Sequence, residues 1–172
     1  MINNVVFFLG YKVIWFVGIS ASNAWGVWAC PVLGSLYMAW YIYHYVHNRR
    51  PFVGYILAVL AIGIGMEIGV FGQWAYTLNH PIVTNPWIPL WLVAIWGAFG
   101  CVCHRLSGSL FKTRLIPMLV GAIFGPLAYR SAQALGAIAI VPGIGWYTLS
   151  IGWGVIMMVM YGILRMNRPS PS

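Results

Sequence analysis

Acidic residues are almost absent from this chain. Its 172 residues include one carboxylate side chain, that of Glu67, and no aspartate. A Ser-His-Asp triad is therefore excluded, and so is acid–base catalysis by two carboxylates of one chain. No glycine-rich phosphate loop, H-E-x-x-H or G-x-S-x-G motif is present. These absences weigh against an enzyme and leave Glu67 or His104 as the lone candidate general acid or base.

Cysteine is scarce as well, and its spacing is poor for a metal site. The three cysteines form no obvious disulfide framework. Cys101 and Cys103 lie two positions apart, so on a helix their side chains point about 200° away from each other. Two such thiols cannot bind one ion while the helix continues. We therefore predict no metal site and no cofactor.

Apolar residues, in contrast, are abundant. Hydrophobic residues make up 62% of the chain and charged residues only 6%, against about 25% charged residues in soluble proteins. The formal charge of +8 does not indicate nucleic acid, because most basic residues fall in short loops between apolar runs. The composition predicts an integral membrane protein with membrane lipids as partners.

The order of the apolar runs predicts an all-α, polytopic bundle of six transmembrane helices. The predicted spans are 5–21, 24–46, 51–76, 86–103, a fifth that starts near 115, and 143–164. The fifth span either extends to about Val141 or ends near Tyr129 before an interfacial segment. Residues 1–164 then form a single domain, followed by a short basic, Pro/Ser-rich tail at 165–172.

Loop charges predict the orientation of this bundle. With both termini in the cytoplasm, the inner loops hold seven of the nine basic residues: Arg49, Arg50, Arg105, Lys112, Arg114, Arg165 and Arg168. The loops around Asn23 and His80 would face outward and carry no formal charge. This asymmetry is the pattern of the positive-inside rule.

The charges left within the apolar runs predict a buried polar site. A charge inside hydrocarbon costs at least about 2.5–3.5 kcal/mol, so Glu67 needs a partner or a cavity. Glu67 and Arg130 each lie sixteen residues beyond an inner helix start, at Pro51 and Arg114. Both would then sit about 24 Å deep. Lys12, about 10–12 Å deep, could reach toward Glu67 with its long side chain.

Two interpretations of this cluster remain open. Glu67 is either a substrate or proton site tuned by Arg130 and Lys12, or one member of a structural ion pair that locks the bundle. Arg130 has a third interpretation, in which its side chain extends to the outer interface. Secondary candidates for polar groups of the site are His104, Tyr129, Gln73 and Gln133.

Glycines suggest which faces of the helices pack. Gly65-x-x-x-Gly69 and Gly121-x-x-x-Gly125 are small-residue motifs of the kind that let helix backbones approach closely. On a regular helix Glu67 points away from the first pair, and its neighbours are Gly63, Phe71 and Trp74. One face of the helix would then pack while the other lines a polar interior.

Several short motifs of the chain occur together in a recognisable order. They are Asn3-Asn4, Trp15, the acidic residue of the third span, Pro89-Leu90-Trp91-Leu92, the region of His104, Gly125-Pro126-Leu127-Ala128-Tyr129 and Leu135-Gly136. With these motifs the sequence resembles a family of small bacterial membrane proteins that is classed only as a domain of unknown function. Members usually carry aspartate at the position of Glu67 and an aliphatic residue at that of Arg130.

The resemblance implies a bacterial inner-membrane protein that is often encoded near lipid-modifying methyltransferases of the cyclopropane-fatty-acid type and flavin-dependent oxidases. It favours a non-catalytic lipid-handling or accessory component, either as a homo-oligomer or with a membrane protein partner. A small transporter or proton-coupled carrier is the alternative. It rests on the same intramembrane charges and on Gly125-Pro126 and Pro142-Gly143, which are typical of broken transporter helices. A membrane-embedded lipid-modifying enzyme is the second alternative.

Overall fold

The computed structural model describes residues 3–20, 26–79 and 90–166. This part of the chain is mostly helical, as predicted. Its helices are, in order, α1 (Asn4–Ser20), α2 (Gly26–Tyr45), α3 (Arg49–Met66), the single turn α4 (Gly72–Trp74), α5 (Leu90–Arg105), α6 (Leu115–Ala134) and α7 (Ile144–Met166). The predicted span starts at 24 and 86 and most of the tail lie outside the described residues.

Three helical segments are long and apolar enough to cross a membrane, which indicates a membrane protein. They are residues 49–74, Leu115–Ala134 and Ile144–Met166, while α1 and α5 are apolar but shorter. Large apolar side chains such as Leu119, Phe124 and Ile151 are exposed on their outer faces. A continuous apolar exterior of this kind suits lipid better than water.

The helices form two groups that are joined by α3. On one side, α1 and α2 pack against each other and against α5, and on the other side α6 packs against α7. Helix α3 contacts both α5 and α7 and so connects the groups. Within the described chain, α1 and α6 do not pack extensively on each other. A cleft therefore separates the two groups on the side opposite α3.

One end of the bundle, here called the basic end, gathers the start of α1 and the ends of α2 and α5. The Arg105 side chain links them, since its Nε donates to Asn4 Oδ1 over 3.1 Å and its guanidinium lies 4.3 Å from the centre of the Tyr45 ring. Helix α3 begins beside this end, at Arg49, only four residues after Tyr45.

The opposite end, here called the sheet end, carries two short strands that link α3 to α6. Strand β1 (Tyr76–Leu78) pairs antiparallel with β2 (Ile138–Ile140). Tyr76 is aligned with Ile140 and Leu78 with Ile138. The sheet therefore ties together the C-terminal ends of two helices that are distant in sequence.

The segment 131–142 follows neither of the two predicted courses. Helix α6 passes the shorter predicted end and stops at Ala134, well before the longer one. Gly136, with φ of 75°, ends it in a left-handed conformation. The Gly136 amide donates to Gln133 O over 2.9 Å and the Ala137 amide to Ala132 O over 3.0 Å, which together form a Schellman cap. This glycine turn directs the chain into β2.

The two predicted helix breaks are also absent from α6 and α7. Helix α6 continues through Pro126 without interruption, as transmembrane helices can when neighbouring elements support the freed backbone. Pro142 and Gly143 lie in the turn that precedes α7, where Gly143 has a φ of 72°. Neither Gly–Pro pair therefore forms a broken helix.

Candidate functional site

The turn that contains Glu67 is a π-helix. Residues Glu67–Phe71 leave the regular α-helical pattern directly after α3, and α4 completes the segment. The Gly72 amide donates to the carbonyl oxygens of Glu67 and Val70. Single π turns inside α-helices are rare and are found frequently at functional sites. The only acidic residue of the protein is thus the first residue of its most unusual turn.

The π turn also changes which side chains lie beside Glu67. One extra residue per turn rotates the following residues by about 100° around the helix axis. Glu67 and Phe71 are buried, as the regular wheel predicts, but the Trp74 side chain is 59% exposed. The predicted position of Trp74 next to Glu67 is therefore wrong because the helix does not stay α-helical.

Two tyrosine hydroxyls bind the Glu67 carboxyl group, which is only 6% exposed. The Tyr76 hydroxyl donates to Oε2 over 2.7 Å, and the Tyr129 hydroxyl donates to Oε1. The Trp96 indole lies near the same group. Within residues 3–20, 26–79 and 90–166, no basic side chain forms an ion pair with Glu67. Hydrogen bonds from neutral donors therefore compensate for the burial of this carboxyl group.

The sheet positions one of these tyrosines. Tyr76 is the first residue of β1 and pairs with Ile140 of β2. The Ile140 amide donates to Gln133 Oε1 over 2.8 Å, which holds β2 against the end of α6. Gln133, a predicted member of the site, therefore supports the sheet that carries Tyr76 and makes no contact of its own with Glu67.

Glycines make room for the tryptophans beside Glu67. Trp96 of α5 and Trp153 of α7 stack with centroids 5.2 Å apart and an interplanar angle of 11°. A Cβ atom at Gly63 would overlap the Trp96 ring, and one at Gly125 would overlap the Trp153 ring. The close approach predicted for the Gly121-x-x-x-Gly125 motif is therefore present in the structure.

The other predicted motif, Gly65-x-x-x-Gly69, does not pack. Nothing lies within 4 Å of a Cβ atom at either glycine. Both residues are exposed on the outer face of the helix. The close packing on this helix occurs instead at Gly63, on the same side as Glu67.

Aromatic rings surround the carboxyl group on several sides. The Tyr129 ring lies 5.8 Å from Phe71, 5.4 Å from Tyr76 and 6.4 Å from Trp153, measured between ring centroids. We call the set Phe71, Tyr76, Trp96, Tyr129 and Trp153 the aromatic cluster. Its members come from five separate elements, so the folded bundle is needed to assemble it.

The carboxyl group and four members of the aromatic cluster, all except Phe71, border a large cavity in the cleft between the two helix groups. Its volume is about 720 Å³. Side chains that line it run from Leu106 and Leu110, near the basic end, to Leu78 and Ile138 at the sheet end. Most of the lining is apolar, and its charged members among the described residues are Glu67 and Lys12.

Lys12 lies on the α1 wall of this cavity and is surrounded by aromatic rings. Its Nζ lies 5.4 Å from the ring centre of Phe8, 5.7 Å from that of Tyr11 and 5.3 Å from that of Trp15. Lys12 is about 12 Å from the start of α1, whereas Glu67 is about 27 Å from the start of α3 at the same end. The two charges thus share one cavity at different depths.

Arg130 and Gln73 lie outside the cavity lining. Arg130 is exposed, because on α6 it is turned about 100° from Tyr129, which points toward Glu67. Gln73 is also exposed and donates to the Ile68 carbonyl over 3.3 Å. The equal predicted depth of Glu67 and Arg130 favoured an ion pair between them, but in the described structure Tyr129 contacts Glu67 instead.

His104 belongs to a different part of the bundle. Its Nδ1 is 2.7 Å from the Tyr41 hydroxyl, near the basic end. The rings of Phe52 and Tyr55 lie 5.0 and 5.6 Å away. These contacts place His104 at the end of α5, away from the Glu67 carboxyl group.

Three residues of the site were not among the sequence candidates: Tyr76, Trp96 and Trp153. The one signal that pointed toward them was Gly63, which the helical wheel placed beside Glu67 and which faces a tryptophan in the structure. A carboxylate offers about four acceptor positions, and the two tyrosines occupy two of them. The site can therefore accept further hydrogen bonds from a ligand in the cavity.

Comparisons with known proteins agree with the resemblance seen in the sequence. No curated protein and no solved structure matches the chain. A family model described as "Protein of unknown function (DUF2878)" matches residues 4–159, a range that contains α1 to α6, both strands and most of α7. The prediction of a family of unknown function is confirmed, and the chain belongs to the DUF2878 family.

Proposed function

We propose that this protein is a lipid-handling component of the membrane that holds one lipid chain in the cleft and presents the polar group of that lipid to Glu67. A single observation carries the proposal. The only carboxylate of the protein is buried at the wall of an apolar cavity of about 720 Å³, with both oxygens held by tyrosines.

The shape of the cavity supports a chain-like ligand. Its lining follows α5 from Trp91 to Cys103, a length of about 18 Å. One leaflet of a bilayer is about 15 Å deep in hydrocarbon, so an acyl chain fits along this direction. The volume is also within the range of about 300–1,000 Å³ that is typical of ligand sites.

The edges of the cleft support entry from the bilayer. Phe8 of α1 and Phe124 and Leu127 of α6 line the cavity and are also exposed on the outside of the bundle. Because α1 and α6 do not pack extensively on each other in the described chain, lipid can move between them without crossing a polar surface.

The proposal includes a six-span topology in the bacterial inner membrane with both termini in the cytoplasm. Its support is the clustering of Arg49, Arg105 and Arg165 at the ends of helices that meet near the basic end, together with the positive-inside rule. The gene neighbours that the family resemblance implies, lipid-modifying methyltransferases, are consistent with a lipid ligand.

A carrier function has less support than it had from the sequence. The sequence based it on the intramembrane charges and on a pair of broken helices, and α6 is continuous through Pro126. An enzymatic function rests on Glu67 alone, since His104 is not among the residues that line the cavity. Lipid binding needs neither a broken helix nor a second catalytic group.

The proposal is tested by native mass spectrometry of the purified protein in detergent micelles, with retained lipid as the readout. The test variant is Ala128→Trp, which places a large ring in the cavity lining. The matched control is Ala134→Trp, the same change at an exposed position of α6 outside the lining. We expect wild type and the control to retain a lipid adduct under collisional activation and Ala128→Trp to lose most of it.

Two results would overturn the proposal. One is that the wild-type protein retains no lipid and takes up none when lipid is added. The other is that both tryptophan variants retain lipid equally, because lipid would then be attached to the outer surface of the bundle. Proton flux in liposomes that depends on Glu67 would favour the carrier instead.

A further inference from the structure

We infer that the polar group recognised by Glu67 is a primary ammonium, so that the ligand class is an amine-bearing lipid. This inference rests on the proposed lipid binding and adds the chemistry of the polar group. It follows from two independent features of the site, its charge balance and its aromatic surroundings.

The charge balance of the site favours a cation. A buried carboxylate is costly unless an opposite charge or several hydrogen bonds compensate it. Glu67 receives hydrogen bonds from Tyr76 and Tyr129, but the described residues bring no basic side chain to it. An ammonium group in the cavity would complete the compensation, because it supplies both positive charge and N–H donors to the remaining acceptor positions.

The aromatic surroundings favour the same kind of group. Aromatic rings attract cations, including primary ammonium groups, through their negative faces, and cages of such rings recognise quaternary ammonium ligands. Tyr76, Trp96, Tyr129 and Trp153 all line the cavity beside Glu67. A carboxylate within a set of aromatic rings is a combination that discriminates an amine from a neutral hydroxyl group.

Lys12 does not oppose this assignment. Its charge lies about 15 Å nearer the basic end than Glu67 along the helix axes, so its repulsion of a bound ammonium is several times weaker than the attraction by the adjacent carboxylate. A fatty acid would show the opposite preference, because its carboxylate would be repelled by Glu67 and attracted by Lys12. The charge of the head group therefore determines whether it binds beside Glu67 or beside Lys12.

The test compares three single-chain lipids of equal length, namely hexadecylamine, hexadecanol and palmitate, by native mass spectrometry titration of the intact protein. We expect wild type to bind the amine about tenfold more tightly than the alcohol. The formal charge of +8 on the protein disfavours non-specific attraction of a cation, so such a preference would come from the site.

Three variants test whether the preference for the amine over the alcohol arises at Glu67. Glu67→Gln removes the charge, and we expect the affinities for amine and alcohol to become equal within about twofold. Glu67→Asp keeps the charge and should keep the preference. Tyr129→Phe removes one neutral donor from the carboxylate, so the preference for the amine should be at least as large as in wild type.

The outcomes separate this inference from the proposed function. If none of the three lipids binds to wild type, lipid binding itself is refuted. Equal binding of amine and alcohol by wild type, or tightest binding of palmitate, would leave lipid binding intact and overturn the ammonium assignment. A preference for the amine that persists in Glu67→Gln, or that disappears in Tyr129→Phe, would also overturn it.

Discussion

The hydrogen bond between Tyr129 and Glu67 offers the sharpest test of how the site is held together. Tyr129→Phe removes the hydroxyl that donates to Oε1 and leaves the ring in place. A hydrogen bond to a charged group contributes about 1.5–3 kcal/mol, and Glu67 is 94% buried, since its exposed fraction is 6%. We therefore expect Tyr129→Phe to lower the free energy of unfolding by about 2 kcal/mol.

A double-mutant cycle separates this hydrogen bond from other effects of the substitution. In a Glu67→Leu background the Tyr129 hydroxyl has lost its acceptor, so removing it should be neutral or stabilising by about 1 kcal/mol. The expected coupling energy between the two positions is therefore about 2 kcal/mol or more. Tyr147→Phe is the matched control, because Tyr147 is 70% exposed, and its effect should stay within about 0.5 kcal/mol.

Reversible unfolding in detergent micelles, followed by tryptophan fluorescence, measures all four free energies of the cycle. If Tyr129→Phe is no more destabilising than Tyr147→Phe, the hydrogen bond from Tyr129 to Glu67 does not stabilise the fold. If the loss of stability persists unchanged in the Glu67→Leu background, the Tyr129 hydroxyl contributes through a partner other than Glu67.

Three further predictions follow from the geometry of the glycines and of the sheet. Gly63→Ala should destabilise the bundle by about 1–3 kcal/mol in the same unfolding assay, since the added methyl group meets a tryptophan ring. The control Gly65→Ala, with open space around it, should be neutral or stabilising by up to about 1 kcal/mol. Equal effects of the two substitutions would contradict the packing of Gly63 against the ring. Gly136→Ala should lower the free energy of unfolding by about 1–2 kcal/mol, because the φ of 75° strains any residue with a Cβ. An unchanged midpoint of unfolding would contradict the left-handed cap at Gly136. Gln133→Ala should speed hydrogen exchange at the Ile140 amide, and unchanged protection would show that the strand is held otherwise.

Length and hydrophobicity were sufficient to predict the membrane class and most helix positions. The six apolar runs coincide with the six described helices that have sixteen or more residues, since a helix satisfies the backbone hydrogen bonds of an apolar run internally. The burial of Glu67 was also predictable, since a lone charge in such a run has to face inward. These inferences depend on local sequence and on the properties of lipid alone.

The partners of Glu67 could not be predicted in the same way. Depth along a helix follows from residue counts, but the direction of a side chain depends on which helices meet and at what rotation. Arg130 and Tyr129 are adjacent in sequence, yet only the tyrosine contacts Glu67. Tyr76 depends on a sheet of two three-residue strands, which are too short to give a pattern. Tyr129 was a secondary candidate for the site, but nothing in the sequence distinguished it among the ten tyrosines as the partner of Glu67.

The π turn explains why these partners reach Glu67 and why a regular helical wheel misses them. If the helix continued as an α-helix, everything after Glu67 would be rotated by about 100° relative to its actual position. Tyr76 follows the turn by only five residues, so that rotation would move β1 away from β2 and its hydroxyl away from Oε2. The sheet in turn fixes the end of the helix and so retains the turn. Because a π turn is less favourable than the α-helical alternative, the hydrogen bonds to Glu67 and the pairing of β1 with β2 have to compensate for its cost.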